Sequence, residues 1–190
     1  MRKFFSTATV LLIVLFLIGC DISNNRDNSF PDHVTGENTM DHIWSITDKN
    51  DFIIEMMEHL NNKTQYGENL SVLSYAERVF FITQTLETEV NNGGFSQFFY
   101  NDGGRFANEV VSAFTAIGAD KTASICQKAI NAFGCDIPSD RDERIDLLEK
   151  MEEDGIDETF DECDDVFYEY EDDLTKLNYD FVIKNKEQFK

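Results

Sequence analysis

From residue 40 onward, apolar residues recur at intervals of three and four, the spacing of a helix with one buried face. No stretch shows a sustained alternation of apolar and polar residues, the pattern of a half-buried strand. Glycines close several of the apolar stripes, at Gly93-Gly94, at Gly118 and at Gly134. Because glycine tolerates the left-handed backbone that ends many helices, the pattern predicts an all-α fold, with a single compact multi-helix domain over residues 40–190.

Polar residues at the starts of these stripes predict where helices begin. Ser74 and Glu77 have the spacing of a capping box, in which each side chain accepts a hydrogen bond from the backbone of the first turn. A helix is therefore predicted to start there, with Tyr75 at the beginning of its buried stripe. Asp120 and Ser139 are the predicted caps of two later helices.

Residues 1–19 have the organisation of a secretory signal peptide. Two basic residues precede the uninterrupted apolar run 10–18, which is shorter than the roughly 20 residues that span a bilayer. The segment Leu17-Ile18-Gly19-Cys20 resembles the bacterial lipobox, whose cysteine receives a diacylglyceryl group before cleavage. The sequence predicts a lipoprotein signal peptide over 1–19. The range 20–39 is predicted to consist of the lipidated Cys20 and a flexible polar tether.

A lipidated Cys20 places the mature chain at the cell membrane, on its extracytoplasmic face. Processed lipoproteins carry two or three acyl chains, such as palmitate, and each buried CH₂ contributes about 0.8 kcal/mol to membrane binding. The predicted membrane contact is therefore a lipid anchor and not a spanning helix.

Acidity dominates the composition. The chain has 37 Asp and Glu against 16 Lys and Arg, a net charge of -21, and residues 136–173 alone hold 19 acidic and 3 basic residues, a net of -16. This charge repels nucleic acid, so no direct nucleic acid binding is expected. A basic protein is the partner that such a surface selects, and the alternative is a solvated face that only maintains solubility. The candidate partner-binding face consists of Glu152, Glu153, Asp157, Asp161 and Asp164.

No motif indicates catalysis, a metal or a cofactor. The three histidines lack the spacing of metal ligands, and an EF-hand loop aligned on Gly155 would put Lys150 at the first ligand position. No glycine-rich phosphate loop occurs. Around Ser96, the second glycine of a nucleophile elbow is missing, so Ser96 is predicted to be a surface residue. Diffuse calcium binding by the clustered carboxylates stays open.

Three cysteines remain when Cys20 is set aside, and an odd number excludes a closed disulfide framework. On one helix, Cys126 and Cys135 would lie about 13 Å apart, beyond the roughly 7 Å that a disulfide reaches. Pairing of Cys135 with Cys163 and buried free thiols are both compatible with the sequence, and the free thiols are favoured.

The most distinctive stretch runs from Glu89 to Asn101. Together with Gly104 and the later Ile117-Gly118-Ala119, it resembles a family of bacterial domains that includes an acidic, all-helical DNA-mimic protein. The resemblance covers about residues 66–188 and becomes loose after Gly134. The residues that carry it are Glu89, Asn92, Gly93, Gly94, Phe95, Gln97, Phe98, Phe99 and Asn101.

This resemblance implies an all-α fold, frequent acidity and dimerisation, so a homodimer is a candidate assembly. For one member it implies occupation of a transcription factor's DNA-binding surface. The residues that carry it are predicted to be structural, because amides beside glycines close turns and exposed helix ends.

The resulting hypothesis is a membrane-anchored lipoprotein whose acidic helical module binds a basic extracytoplasmic partner. One alternative is a true DNA mimic that regulates a DNA-binding protein, and another is a hydrolase-type enzyme with a cleft around Phe95–Asn101. A cleft lined by a carboxylate with a raised pKa would favour an enzyme. A convex acidic face and a well-packed Glu89–Asn101 segment would favour the interaction module.

Overall fold

The computed structural model describes residues 39–152 and 155–190, so the predicted signal peptide, Cys20 and the tether lie outside the described residues. Within these ranges there are eight α-helices and no strand. They are α1 (Thr39–Ser45), α2 (Lys49–Lys63), α3 (Tyr75–Tyr100), α4 (Ala107–Ile117), α5 (Asp120–Asn131), α6 (Arg141–Glu152), α7 (Ile156–Phe167) and α8 (Leu174–Lys184). The predicted all-α fold is confirmed.

Helix α3 is the central element of the domain. It packs against α2, α4, α6, α7 and α8, while α5 bridges α4 and α7 and α1 covers α2. A short 3-10 helix, Asp102–Phe106, links α3 to α4 and contacts both. In the C-terminal part of α3, Phe95 and Phe99 contact aromatic residues of α7, and α6 donates to the Phe99 carbonyl.

Local capping signals position some helices, and distant side chains position others. The capping box predicted at Ser74 is present in both directions, and it begins α3. The prediction that Asp120 caps α5 is wrong, because Asp120 is the first residue of that helix. The side chain of Asp172 instead accepts a hydrogen bond from the Thr122 backbone amide at 2.8 Å. Likewise Asp140, and not Ser139, caps α6, since its carboxylate accepts from the backbone amides of the first turn.

Aromatic side chains make up much of the core around α3. The Phe99 ring lies 4.7 Å from Phe133 and 5.3 Å from Phe160, measured between centroids, and Phe95 meets Phe167 edge to face at 6.0 Å. The expectation of a buried Tyr75 is wrong: this side chain is 68% exposed. It is the first residue of α3, so the buried stripe starts one residue later.

The three cysteines of the described domain are free thiols. Cys126 on α5 and Cys163 on α7 are buried, whereas Cys135 is exposed. Burial raises the pKa of both buried thiols, and the proximity of Cys163 raises that of Cys126 further. In the described ranges no helix combines the length and apolar character needed to cross a bilayer.

Candidate interaction site

The Glu89–Asn101 segment contains a kink in α3. Gly93 (φ -173°, ψ 28°) and Gly94 (φ 76°, ψ -177°) both leave the helical conformation, and the helix resumes at Phe95. Sequence reasoning expected the helix to end at these glycines, whereas it continues in a new direction. The backbone of Gly94 lies in a region that essentially only glycine adopts, so this residue cannot be replaced without strain.

Asp164 on α7 caps the second part of α3. Its Oδ1 accepts a hydrogen bond from the Phe95 backbone amide at 2.8 Å. A Cβ atom on Gly94 would overlap the same carboxylate, so the missing side chain leaves room for the cap. Burial raises the pKa of Asp164 above its usual range, the Phe95 hydrogen bond acts in the opposite direction, and repulsion from Asp161 and Asp165 adds to the increase.

Glu89 ties together the two sides of the kink. Its Oε2 accepts from Gln97 Nε2 at 2.8 Å and from Asn101 Nδ2 at 2.9 Å. A Cβ on Gly93 would overlap the Gln97 amide, so the glycine lets this side chain cross the kink. Glu89 precedes the kink and both amides follow it, which means that the carboxylate fixes the change in helix direction.

The remaining residues of the segment divide between core and surface. Phe95, Phe98 and Phe99 are buried, and Gly94 with them. Asn92 and Ser96 are exposed, which confirms the expectation that Ser96 is a surface residue. The hydrogen bonds of Glu89, Gln97 and Asn101 and the buried rings fit a structural role for this segment, which stays a prediction. Among the described residues, no side-chain hydrogen bond to Asn92 is seen.

Arg144 on α6 is a buried cation that the sequence did not reveal. Its guanidinium is fully buried and donates to five backbone carbonyls, those of Phe99, Asn101, Pro138, Ser139 and Asp140. Burial lowers its pKa, yet an arginine stays protonated in proteins. Arg144 thus holds the end of α3 against the start of α6. A Cβ on Gly104 would overlap it.

The five residues of the candidate acidic face do not share one environment in the structure. Glu152 and Asp161 are exposed, whereas Asp164 is half-buried and caps the second part of α3. Glu153 and the side chain of Asp157 lie outside the described residues. Further exposed carboxylates join the outer side of α6 and α7: Asp142, Glu143, Asp146, Glu149, Glu158, Glu162 and Asp165. Among them Glu162 pairs with Lys128 at 2.7 Å.

An apolar groove opens beside this acidic surface, between the second part of α3 and the helices α6 and α7. Its volume is about 190 Å³. The residues that line it are Ser96, Tyr100, Ile145, Leu148, Glu149, Glu152, Ile156 and Phe160. Sequence reasoning placed a hypothetical enzymatic cleft in this part of α3, but it gave no sign that α6 forms the opposite wall.

Among the described residues, two carboxylates have pKa values raised chiefly by burial, those of Glu87 and Asp164, and neither lines the groove. Glu87 accepts from Gln84 Nε2 at 2.9 Å and from the Tyr170 hydroxyl at 3.2 Å. Asp164 is engaged by Phe95. Both groups are engaged within the fold: Glu87 joins α3 to Tyr170, which follows α7, and Asp164 joins α7 to α3. In the described parts of the chain, no group of three or more His, Cys, Asp or Glu is arranged to hold a metal ion.

Comparison with known proteins identifies the domain. The family model described as DMP19-like protein matches residues 71–185. No curated protein and no solved structure matches the chain. The matched range begins just before α3 and extends to the end of α8, so it includes the kink, Arg144 and both acidic helices. Since the match covers more than half of its residues, this chain belongs to the DMP19-like protein family.

Proposed function

We propose that this chain is a membrane-anchored lipoprotein whose acidic helical domain binds a basic protein partner outside the cytoplasm. The observation that carries the proposal is the outer side of α6 and α7. Glu152, Asp161 and Asp165 are exposed there, and α7 contains no basic residue. Asp164 and Glu89 are engaged in the fold, so the charge offered to a partner is that of the exposed carboxylates.

Such a surface mainly raises the rate at which a basic partner associates. Charge complementarity steers a basic partner towards the acidic face and disfavours acidic partners. The C-terminal segment has the opposite net charge: residues 174–190 contain 4 basic and 2 acidic residues, a net of +2. A partner with a basic patch therefore meets this domain in a preferred orientation, and the interaction weakens as salt screens charges beyond a Debye length of about 8 Å.

Membership of the family raises DNA mimicry as the alternative. Duplex DNA carries one charge per roughly 1.7 Å of axis in a regular array, so a mimic needs carboxylates at matching intervals. A lipidated Cys20 would also separate the domain from DNA-binding proteins, which work in the cytoplasm. We therefore favour an extracytoplasmic partner, and we keep a homodimer as a possible assembly of the same domain.

The anchor is tested by labelling cells with a fatty-acid probe. We expect labelled wild-type chain and no label on Cys20→Ala, because only Cys20 follows both the apolar run and a small residue. Fractionation should then recover the wild type with membranes and the variant in soluble fractions. Equal labelling of the two chains contradicts the lipoprotein assignment, and so does a cytoplasmic mature protein.

The partner surface is tested by photo-crosslinking the full chain in its native membrane. A photoreactive residue replaces Asp165 in one variant and Glu58 on α2 in another, both exposed positions. We expect a crosslinked product with a basic extracytoplasmic protein from position 165, weakened by added salt, and none from position 58. Equal products at both positions would mean that the acidic face is only a solubilising surface.

Matched charge variants separate a local face from net charge. The face variant combines Glu152→Gln, Asp161→Asn and Asp165→Asn, and the control variant combines Asp51→Asn, Glu58→Gln and Glu68→Gln at exposed positions elsewhere. Both remove the same charge. We expect the product to be lost only in the face variant. Capture of a transcription factor, competed by duplex DNA, would instead support mimicry.

A further inference from the structure

The groove between α3, α6 and α7 combines an apolar floor with a charged rim. Ile145, Leu148, Ile156 and Phe160 contribute apolar side chains, and Glu149 and Glu152 contribute exposed carboxylates. Tyr100 stands at the edge and is 50% exposed. A large aromatic side chain left half in solvent beside an apolar cavity is typical of a recognition surface, where aromatic residues are enriched.

The size of the groove limits what enters it. Its volume is about 190 Å³, whereas an apolar cavity of about 150 Å³ holds a benzene molecule. One phenylalanine, leucine or methionine side chain therefore fits, and a whole helix does not. An occupant must present a single large apolar group and keep the rest of its chain outside the groove.

The charge around the groove selects the flanks of that occupant. The outer side of α6 adjacent to it carries Asp142, Asp146 and Glu149 in exposed positions. Two basic residues of α6 are exposed among these carboxylates, Arg141 and Lys150. Arg141 is engaged: its guanidinium lies over the Tyr100 ring at 5.1 Å and its Nε donates to the Tyr100 carbonyl. The five exposed carboxylates of α6 outnumber these two cations. The rim is therefore complementary to lysine and arginine.

We infer that the groove binds one large apolar side chain of a basic segment in the partner protein, with flanking lysines or arginines against Glu149 and Glu152. This inference rests on the proposed function and adds the chemistry of the contact. The apolar anchor supplies affinity that salt does not screen. The flanking charges supply orientation and rate. Such a division between a buried anchor and a charged rim is common in protein interfaces.

The test compares two lysine-rich peptides that differ in one residue, either phenylalanine or alanine at the centre. Binding is measured by fluorescence anisotropy to the full chain in neutral lipid nanodiscs, with empty nanodiscs as the blank. We expect the phenylalanine peptide to bind at least about tenfold more tightly, since burying one such side chain supplies that much. The ratio between the peptides should persist at high salt while both affinities fall.

A groove-filling variant tests the location. Ser96→Trp places an indole at the groove from an exposed position on α3, Ser96→Ala leaves the groove open, and Ser112→Trp adds the same side chain at an exposed site on α4. Only Ser96→Trp should remove the preference for phenylalanine. In the wild type, methyl NMR signals of Ile145, Leu148 and Ile156 should shift with the phenylalanine peptide.

The outcomes separate this inference from the proposed function. Equal binding of the two peptides overturns the inference and leaves the acidic interaction surface intact. Binding of neither peptide contradicts both. A preference for phenylalanine that survives Ser96→Trp also overturns the inference. If Ser96→Trp instead converts a dimer into a monomer while the peptides bind equally, the groove belongs to a second copy of the chain.

Discussion

The inner and the outer face of α7 both carry carboxylates, and they lie in opposite environments. On the inner face, Asp164 sits half-buried beside Phe160 and Phe167 and accepts a hydrogen bond from the backbone of α3. On the outer face, Asp161 and Asp165 are exposed. Asp164 and Asp165 are consecutive in the chain, yet the first stabilises a kink and the second contributes to the negative charge of the surface.

This difference shows that net charge alone does not define an interaction surface. A buried carboxylate is desolvated and must be compensated by hydrogen bonds, which is how Asp164 and Glu89 are used. Exposed carboxylates keep their hydration and contribute little to stability individually. Substitutions on the inner side should therefore change the free energy of unfolding, and those on the outer side should change association.

The largest effect is expected from Arg144→Ala, which removes the buried cation behind the inner side. Five backbone carbonyls would lose a donor, and those of Asn101 and Asp140 would keep a backbone one. Because each unsatisfied buried polar group costs about 1–3 kcal/mol, a total cost of about 4 kcal/mol is expected. Urea unfolding followed by circular dichroism measures the change. Arg141→Ala, at an exposed neighbour on the same helix, is the control and should cost less than about 1 kcal/mol. Similar costs for the two would mean that Arg144 is dispensable.

Gly94→Ala should have the next largest effect. The backbone conformation costs about 1–3 kcal/mol for a residue with a side chain, and the new Cβ would also displace the Asp164 cap. Gly134→Ala is the matched control, because its φ is also positive (63°) but no heavy atom lies within 4 Å of the added Cβ. The excess cost at Gly94 over Gly134 measures the contact with Asp164 together with the more restricted backbone conformation of Gly94. If the two variants unfold alike, the kink does not depend on that contact.

The helix caps and the kink show which parts of the structure could be predicted from the sequence. Ser74 and Glu77 are three residues apart, so the capping box was readable, and the glycine pair marked the break in α3. Asp164 and Phe95 are 69 residues apart, and Asp172 and Thr122 are 50 apart. Caps supplied over such distances depend on helix packing, which no local pattern encodes. Arg144 was missed for the same reason, since its partners are backbone carbonyls that any residue provides.

Glu89→Ala should destabilise the domain by about 2 kcal/mol, because hydrogen bonds to a charged group contribute about 1.5–3 kcal/mol and Glu89 is only half-buried. Two amides, those of Gln97 and Asn101, lose their acceptor. Glu89→Gln retains an acceptor oxygen without the charge, so it should cost less than Glu89→Ala. Thermal unfolding of both variants tests the ranking, and an equal cost for the two would show that the charge itself, and not an acceptor oxygen, holds the kink.

The smallest effect is expected from Asp164→Asn, and its sign depends on pH. Asparagine retains an oxygen that accepts from the Phe95 amide and avoids the burial of a charge, so at neutral pH the change in unfolding free energy should stay below about 1 kcal/mol. Because burial raises the pKa of Asp164 in the folded state, the folded protein holds this proton more tightly than the unfolded chain. Wild-type stability relative to Asp164→Asn must then fall as pH rises from the unfolded pKa of about 3.9 through the higher folded pKa.

Glu158→Gln removes the same charge from an exposed position on α7 and corrects for net charge. Urea unfolding of the three proteins between acidic and neutral pH makes the comparison. If the wild type instead gains stability over Asp164→Asn with rising pH, the hydrogen bond from Phe95 outweighs burial, and the inner carboxylate is stabilised as an anion.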